Sequence, residues 1–124
     1  MEFYQAAQIT PVELTTGSTE LLVGTPNLIA GTPKTDIYVK MARLHVRSLS
    51  GGGSIIVGGD TAGTSPVVLK ANDVGEYVFP YQPGIGLKIT TEKSLYAVVS
   101  GTADATLEVG YHRVVKQHWG NPEQ

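Results

Sequence analysis

Over residues 35–115 apolar side chains recur at every second position, in short runs broken by glycine, proline and asparagine. Period-two alternation presents one face of an extended chain inward and the other outward, so the pattern predicts strands. Extended segments are expected near 3–9, 12–15, 20–24, 35–49, 54–58, 66–70, 75–79, 85–90, 94–100 and 104–115. The breaks GTP, SGGGS, GGDTAGTSP, ANDVG, PYQPG and SGTAD each carry turn chemistry. SGGGS (50–54) is expected to be a hairpin tip, because glycine reaches the positive φ of tight turns at low cost.

Two segments have a phase worth following. In ADATLEVGYHRVV, residues 105, 107, 109, 111, 113 and 115 are Ala, Leu, Val, Tyr, Arg and Val, and five of the six suit a buried face. A helical reading through Leu107, Tyr111, Val114 and His118 competes, but Gly110 and the β-branched neighbours favour the strand. A short helical turn at 114–119 stays open. In TDIYVKMARLHVRSLS, Ile37, Val39 and Met41 share one parity, and Ala42, Leu44, Val46 and Ser48 take the other. A β-bulge near 40–42 would restore one inner face and leave Arg43, His45 and Arg47 in a row outside.

Residues 21–34 read LLVGTPN then LIAGTPK, a seven-residue pattern stated twice. Seven is odd, so a straight strand would put the two apolar runs on opposite faces. Thr-Pro favours extended geometry before it and removes an amide donor, which suits a corner or an edge. One reading makes Leu21–Val23 and Leu28–Ala30 two edge segments with matching corners; the other is chance similarity in a Val/Thr/Gly/Pro-rich region.

The chain has 124 residues, enough for one domain. Area scaling lets a chain of this mass bury about two thirds of its extended surface, so a core needs no covalent staple. No cysteine is present, which excludes disulfides and zinc-thiolate sites and suits a reducing cytoplasm. Net charge is −2 and only 16% of residues are charged, with no basic block for nucleic acid and no amphipathic or polybasic stretch for a membrane. MEFYQAAQIT lacks the positive start and apolar core of a signal peptide.

No sequence motif announces a reaction. SGGGS and VGGDTAG lack the GK[ST] ending of a phosphate-binding loop. There is no GxSxG elbow, and the histidines are His45, His112 and His118. On the outer face of the last strand, His112 is expected to be a solvated imidazole. Most acids lie singly in or beside turns; Asn72, Asp73 and Glu76 could offer oxygen to calcium, but their spacing matches no calcium loop. No metal or cofactor is expected. Two features suggest contact with a partner. The Arg43–His45–Arg47 row could meet an acidic neighbour, or be an ordinary solvated face. Trp119, the single tryptophan, is either a lid over the core or an anchor into a partner.

The order of pieces from 41 to 114 carries a resemblance. LHVRSLS leads into a glycine tip, then SIIVGGD, EYVFPY, GIGLKITTEKSLYAVVSG and a closing ATLEVGYHRV. This order resembles the small β-sandwich proteins that tailed bacteriophages place on their virions, especially capsid decoration (head-stabilising) proteins and head or tail fibre modules. The resemblance implies an all-β fold, an antiparallel, jelly-roll-like sandwich of about eight strands. It implies a homotrimer without a catalytic site, made in the host bacterial cytoplasm and bound to the capsid surface through the major capsid protein or another virion protein. Residues 35–124 would form the sandwich, and residues 1–34 an attachment arm or further edge strands. The competing expectation is a carbohydrate-binding or fibre module using exposed aromatics among Tyr4, Tyr77, Tyr81, Tyr96 and Trp119, although Tyr77 and Tyr96 fall at alternating positions that suit burial.

Overall fold

The computed structural model describes residues 2–22, 34–64, 66–89 and 93–116. Among them are β1 (Glu2–Leu14), β2 (Gly17–Leu22), β3 (Lys34–Leu49), β4 (Ser54–Gly59), β5 (Val67–Ala71), β6 (Gly75–Phe79), β7 (Leu87–Lys88), β8 (Leu95–Ser100) and β9 (Ala103–Lys116). They form two antiparallel sheets. The first has the order β1-β9-β3-β6, with the short β7 also paired to β3; the second has the order β2-β8-β4-β5. Setting β7 aside and renumbering, the orders become 1-8-3-6 and 2-7-4-5, the double Greek key of a jelly roll. The fold is an all-β, antiparallel β-sandwich.

The inward positions of both sheets meet in one core. Ile37, Val39, Ala42, Leu44 and Val46 of β3 and Ala105, Leu107 and Val109 of β9 face Ile55, Val57, Leu69, Leu95, Ala97 and Val99 of the second sheet. Each of these aliphatic groups larger than alanine gains about 1.5–3 kcal/mol by leaving water, which is what holds the layers together.

The bulge expected in β3 is present. Register with β9 shifts between Val39 and Met41, Lys40 being the extra residue, so Ile37, Val39, Ala42, Leu44 and Val46 are all buried. A second shift between Val46 and Ser48 was not foreseen. It turns Ser48 outward, so Ser48 is exposed instead of continuing the inner face.

Two other expectations are corrected. SGGGS is a tight turn, with the Gly53 amide donating to Ser50 O at 2.9 Å and Gly52 at φ 76°, but it joins no hairpin. It carries the chain from β3 in one sheet to β4 in the other. Both strands turn an apolar face into the core, and the crossing sets those faces in opposite layers of it. Tyr96 was expected inside. Leu95, Ala97 and Val99 take the inner face of β8, so Tyr96 lies outside, half-buried, its hydroxyl donating to Glu20 Oε2 at 2.9 Å.

In the N-terminal segment, residues 2–22 form β1 and β2. β1 flanks β9 and β2 flanks β8, and Leu14 and Leu22 are buried in the core. Pro11 sits where the β1 register shifts between Ile9 and Val12, on an edge strand, where its missing amide costs no ladder bond. Residues 23–33, including both Gly-Thr-Pro corners and Leu28–Ala30, lie outside the described residues, as do His118 and Trp119. β9 stays extended to Lys116, so a helical turn beginning at residue 114 is excluded as far as the description runs.

Candidate functional site

The first sheet buries one face and shows the other to solvent. Between its two bulges β3 alternates without interruption, so Arg43, His45 and Arg47 all project outward about 6.5–7 Å apart in succession. The ladder settles their neighbours. Arg43 lies between Glu108 of β9 and Val78 of β6, and His45 lies between Thr106 and Glu76. Arg43, His45, Arg47, Glu76, Thr106 and Glu108 line a shallow concavity of about 270 Å³.

Arg47 is held from two strands. Its guanidinium donates to Glu13 Oε1 at 2.5 Å, Asp104 Oδ1 at 2.6 Å and Thr106 Oγ1 at 2.6 Å. The Thr106 hydroxyl in turn donates to Glu13 Oε2 at 2.7 Å, closing a ring of bonds across β1, β9 and β3. The hydrogen bond from Arg47 holds the Asp104 carboxyl below the usual carboxylate range, and the same bond raises Arg47. Both side chains are well exposed, so solvent screens the pair.

The direction of that shift fixes the sign of a pH effect. A depressed folded-state pKa means that the unfolded chain binds more protons as acid is added. The stabilisation is therefore full above the ordinary carboxylate range and is lost as pH falls through the lowered Asp104 value. Asp104→Asn is expected to lose less stability than the parent between about pH 5 and 2 in urea titrations. Superimposable acid limbs would show that the pair contributes nothing.

Arg43, His45, Glu76 and Glu108 differ from Arg47. Among the described residues none of their side chains takes part in a hydrogen bond or ion pair. The concavity therefore has one anchored end and four free polar groups, two acidic and two capable of positive charge.

Next to this face lies a clamp that the sequence reading missed. Lys40, the bulge residue, is 6% exposed, and its ammonium donates to the carbonyls of Gln82 and Gly84. It also lies 4.4 Å from the centre of the Tyr81 ring, a cation–π contact. The Gln82 amide donates back to Lys40 O at 2.8 Å. Gly86, at φ 107°, approaches so closely that a Cβ there would lie 2.4 Å from Val39 O. His112, expected to be solvated, is half-buried, with Nδ1 3.2 Å from Ile85 O. Loop 80–86 is thus strapped to the outer face of the first sheet. Lys40→Met is expected to cost about 1.5–3 kcal/mol through its lost charge-assisted bonds and to remove hydrogen-exchange protection at the Gln82 amide. Unchanged protection there would show that the strap does not depend on the ammonium.

The expected row is brought together by the structure, whereas Trp119 lies outside the described residues. The companions of the row, Glu13, Glu76, Asp104, Thr106 and Glu108, were not foreseen. Their one sequence signal was parity: Asp104, Thr106 and Glu108 alternate with Ala105, Leu107 and Val109 and so share one outer face. In the loop considered for calcium, Asp73 Oδ1 accepts the Val74 amide at 2.7 Å, while Glu76 lines the concavity. Among the described residues no group of three or more His, Asp or Glu side chains is placed to hold a metal.

No protein-family model matches the chain, and no curated protein matches it. Among solved structures 14 chains match. One comes from Bacillus endospore appendages, described as a family of disulfide-linked pili. It shares 12% identity, with 95% of this chain and 92% of that chain covered and a TM-score of 0.47. A likeness of that size carries no argument about function.

Proposed function

We propose that the protein is a non-catalytic structural component of a tailed-bacteriophage virion, a decoration protein that binds and stabilises the assembled capsid. The resemblance of residues 41–114 supports this reading, and so does the jelly-roll order of the strands. One observation carries it furthest. The large hydrophobic side chains exposed among the described residues, Val67 (45%), Val74 (53%), Val78 (58%) and Tyr81 (72%), all belong to residues 67–81. This stretch holds β5 and β6, the terminal strands of the two sheets on one side of the sandwich, and the turn joining them. Apolar groups spread along a sheet border, beside unpaired backbone, are what a partner surface needs.

On this reading the β5–β6 border docks on the major capsid protein or on another copy in a homotrimer. Binding only the assembled shell stabilises it by mass action. With no cysteine in the chain, the attachment uses no disulfide from it. The test is made on purified virions: the protein is expected as repeated density on the capsid surface, with residues 67–81 at the contact. Val74→Asp/Val78→Asp should lower its occupancy on particles while its melting temperature stays unchanged. Particles that lack the protein, or full occupancy by the double variant, would refute the proposal.

A further inference from the structure

We propose that the concavity on the outer face of the first sheet is a saccharide-binding site that selects neutral, hydroxyl-rich rings. The inference does not depend on the virion reading, since it rests on the arrangement of six side chains.

Alone, the row Arg43, His45 and Arg47 suggests an acidic partner. Its setting argues otherwise. Glu76 stands beside His45 on β6, Glu108 beside Arg43 on β9, and Asp104 and Glu13 already occupy Arg47. An anionic ligand would gain from Arg43 but meet Glu76 and Glu108 at the same time. A cationic ligand would gain from Glu76 and Glu108 but meet Arg43, the charge of Arg47 being already matched by Glu13 and Asp104. Like-charge contacts of this kind exclude partners as effectively as attractive contacts recruit them. A ligand whose groups both donate and accept hydrogen bonds, without net charge, suffers neither penalty. Hydroxyl groups have that property, each offering one donor and two lone pairs.

The spacing suits such a ligand. The three strands stand about 4.8 Å apart, and successive outward residues on one strand about 6.5–7 Å apart. Arg43, His45, Glu76, Thr106 and Glu108 therefore offer donors and acceptors over a patch about 10 Å by 7 Å. Carboxylates of Glu76 and Glu108 accept from neighbouring hydroxyls, and the Arg43 guanidinium donates to hydroxyl oxygens in a fixed plane. At about 270 Å³ the space is smaller than most drug-sized sites and suits one or two rings.

The backbone of the site is held in place. All lining groups stand on strands in a closed ladder, which positions side chains more closely than loops do. The Arg47–Glu13–Thr106 ring, with Asp104 also on Arg47, ties one wall across three strands, while Arg43, His45, Glu76 and Glu108 remain uncommitted.

The test is a backbone-amide NMR titration of the full chain. The neutral probes are methyl glycosides of glucose, galactose, mannose and N-acetylglucosamine; the charged probes are sialyllactose and a hexa-aspartate peptide. At least one neutral glycoside is expected to shift the amides of Arg43, His45, Glu76, Thr106 and Glu108 saturably. Glu108→Gln and Arg43→Gln should each weaken that binding about tenfold, or about 1.4 kcal/mol, with the rest of the spectrum unmoved. Lys70→Gln, on β5 of the other sheet, should leave it unchanged. The proposal is overturned if no neutral glycoside moves these amides, if only the charged probes do, or if the shifts map to other residues.

Discussion

Val109→Asp is expected to abolish the native fold. Val109 is fully buried on β9, paired with Ile9 on one side and Ala42 on the other, in the middle of the first sheet. Its inward neighbours are Leu107 and Leu44. A carboxylate there has neither water nor a cation, and such a group costs several kcal/mol even when it protonates instead of ionising. The loss should exceed about 4 kcal/mol, against about 5–15 kcal/mol for the whole stability of a small domain. Circular dichroism through a urea titration measures it. Glu108→Gln, one residue away on the solvent face, is the control and should change stability by no more than about 0.5 kcal/mol. A Val109→Asp protein that melts like the parent would mean the inner and outer faces of β9 have been exchanged.

Gly58→Ala should also be strongly damaging, for a different reason. A Cβ at Gly58 would lie 2.2 Å from Gly63 O and 2.3 Å from Pro66 O. Both are backbone atoms of the loop that folds back over β4, so no rotamer can relieve the overlap. The loop is itself tied down, with the Gly59 amide donating to Pro66 O at 3.0 Å and the Gly63 amide to Asp60 O at 2.9 Å. Admitting a methyl group must displace residues 60–66 and the bulge in the β4–β5 pairing beside Gly58. The cost should reach about 3 kcal/mol, at the upper end for overpacking. Gly51→Ala provides the contrast: a Cβ at Gly51 meets nothing within 4 Å, and about 0.5 kcal/mol or less is expected. Equal melting temperatures for the two alanine variants would show that the 60–66 loop yields freely.

These two positions mark different degrees of legibility. That Val109 is buried could be read from its neighbours, because alternation along ADATLEVGY is a local property of one extended segment. The bulge at Lys40 was readable in the same way, from a break of parity in an otherwise apolar face. Nothing near Gly58 signalled that two carbonyls would crowd it, since Gly63 and Pro66 reach it only when the loop turns back. SGGGS misled for a related reason: turn chemistry marks where the chain reverses, but not whether the next strand pairs beside the last or crosses to the opposite sheet.

The candidate site divides along the same line. Arg43, His45 and Arg47 shared a face in the sequence because they are two residues apart on one strand. Glu13, Glu76, Asp104, Thr106 and Glu108 joined them only through the pairing of β3 with β6 and β9, and of β9 with β1. By itself, then, the sequence determined the strands, most of their inner faces and the row of basic groups, all properties of residues within a few positions of one another. Tertiary structure alone decided which strands became neighbours, through burial of apolar faces brought together from distant parts of the chain. That pairing set acids beside the basic row, so a face that reads as basic along one strand carries both signs of charge across three.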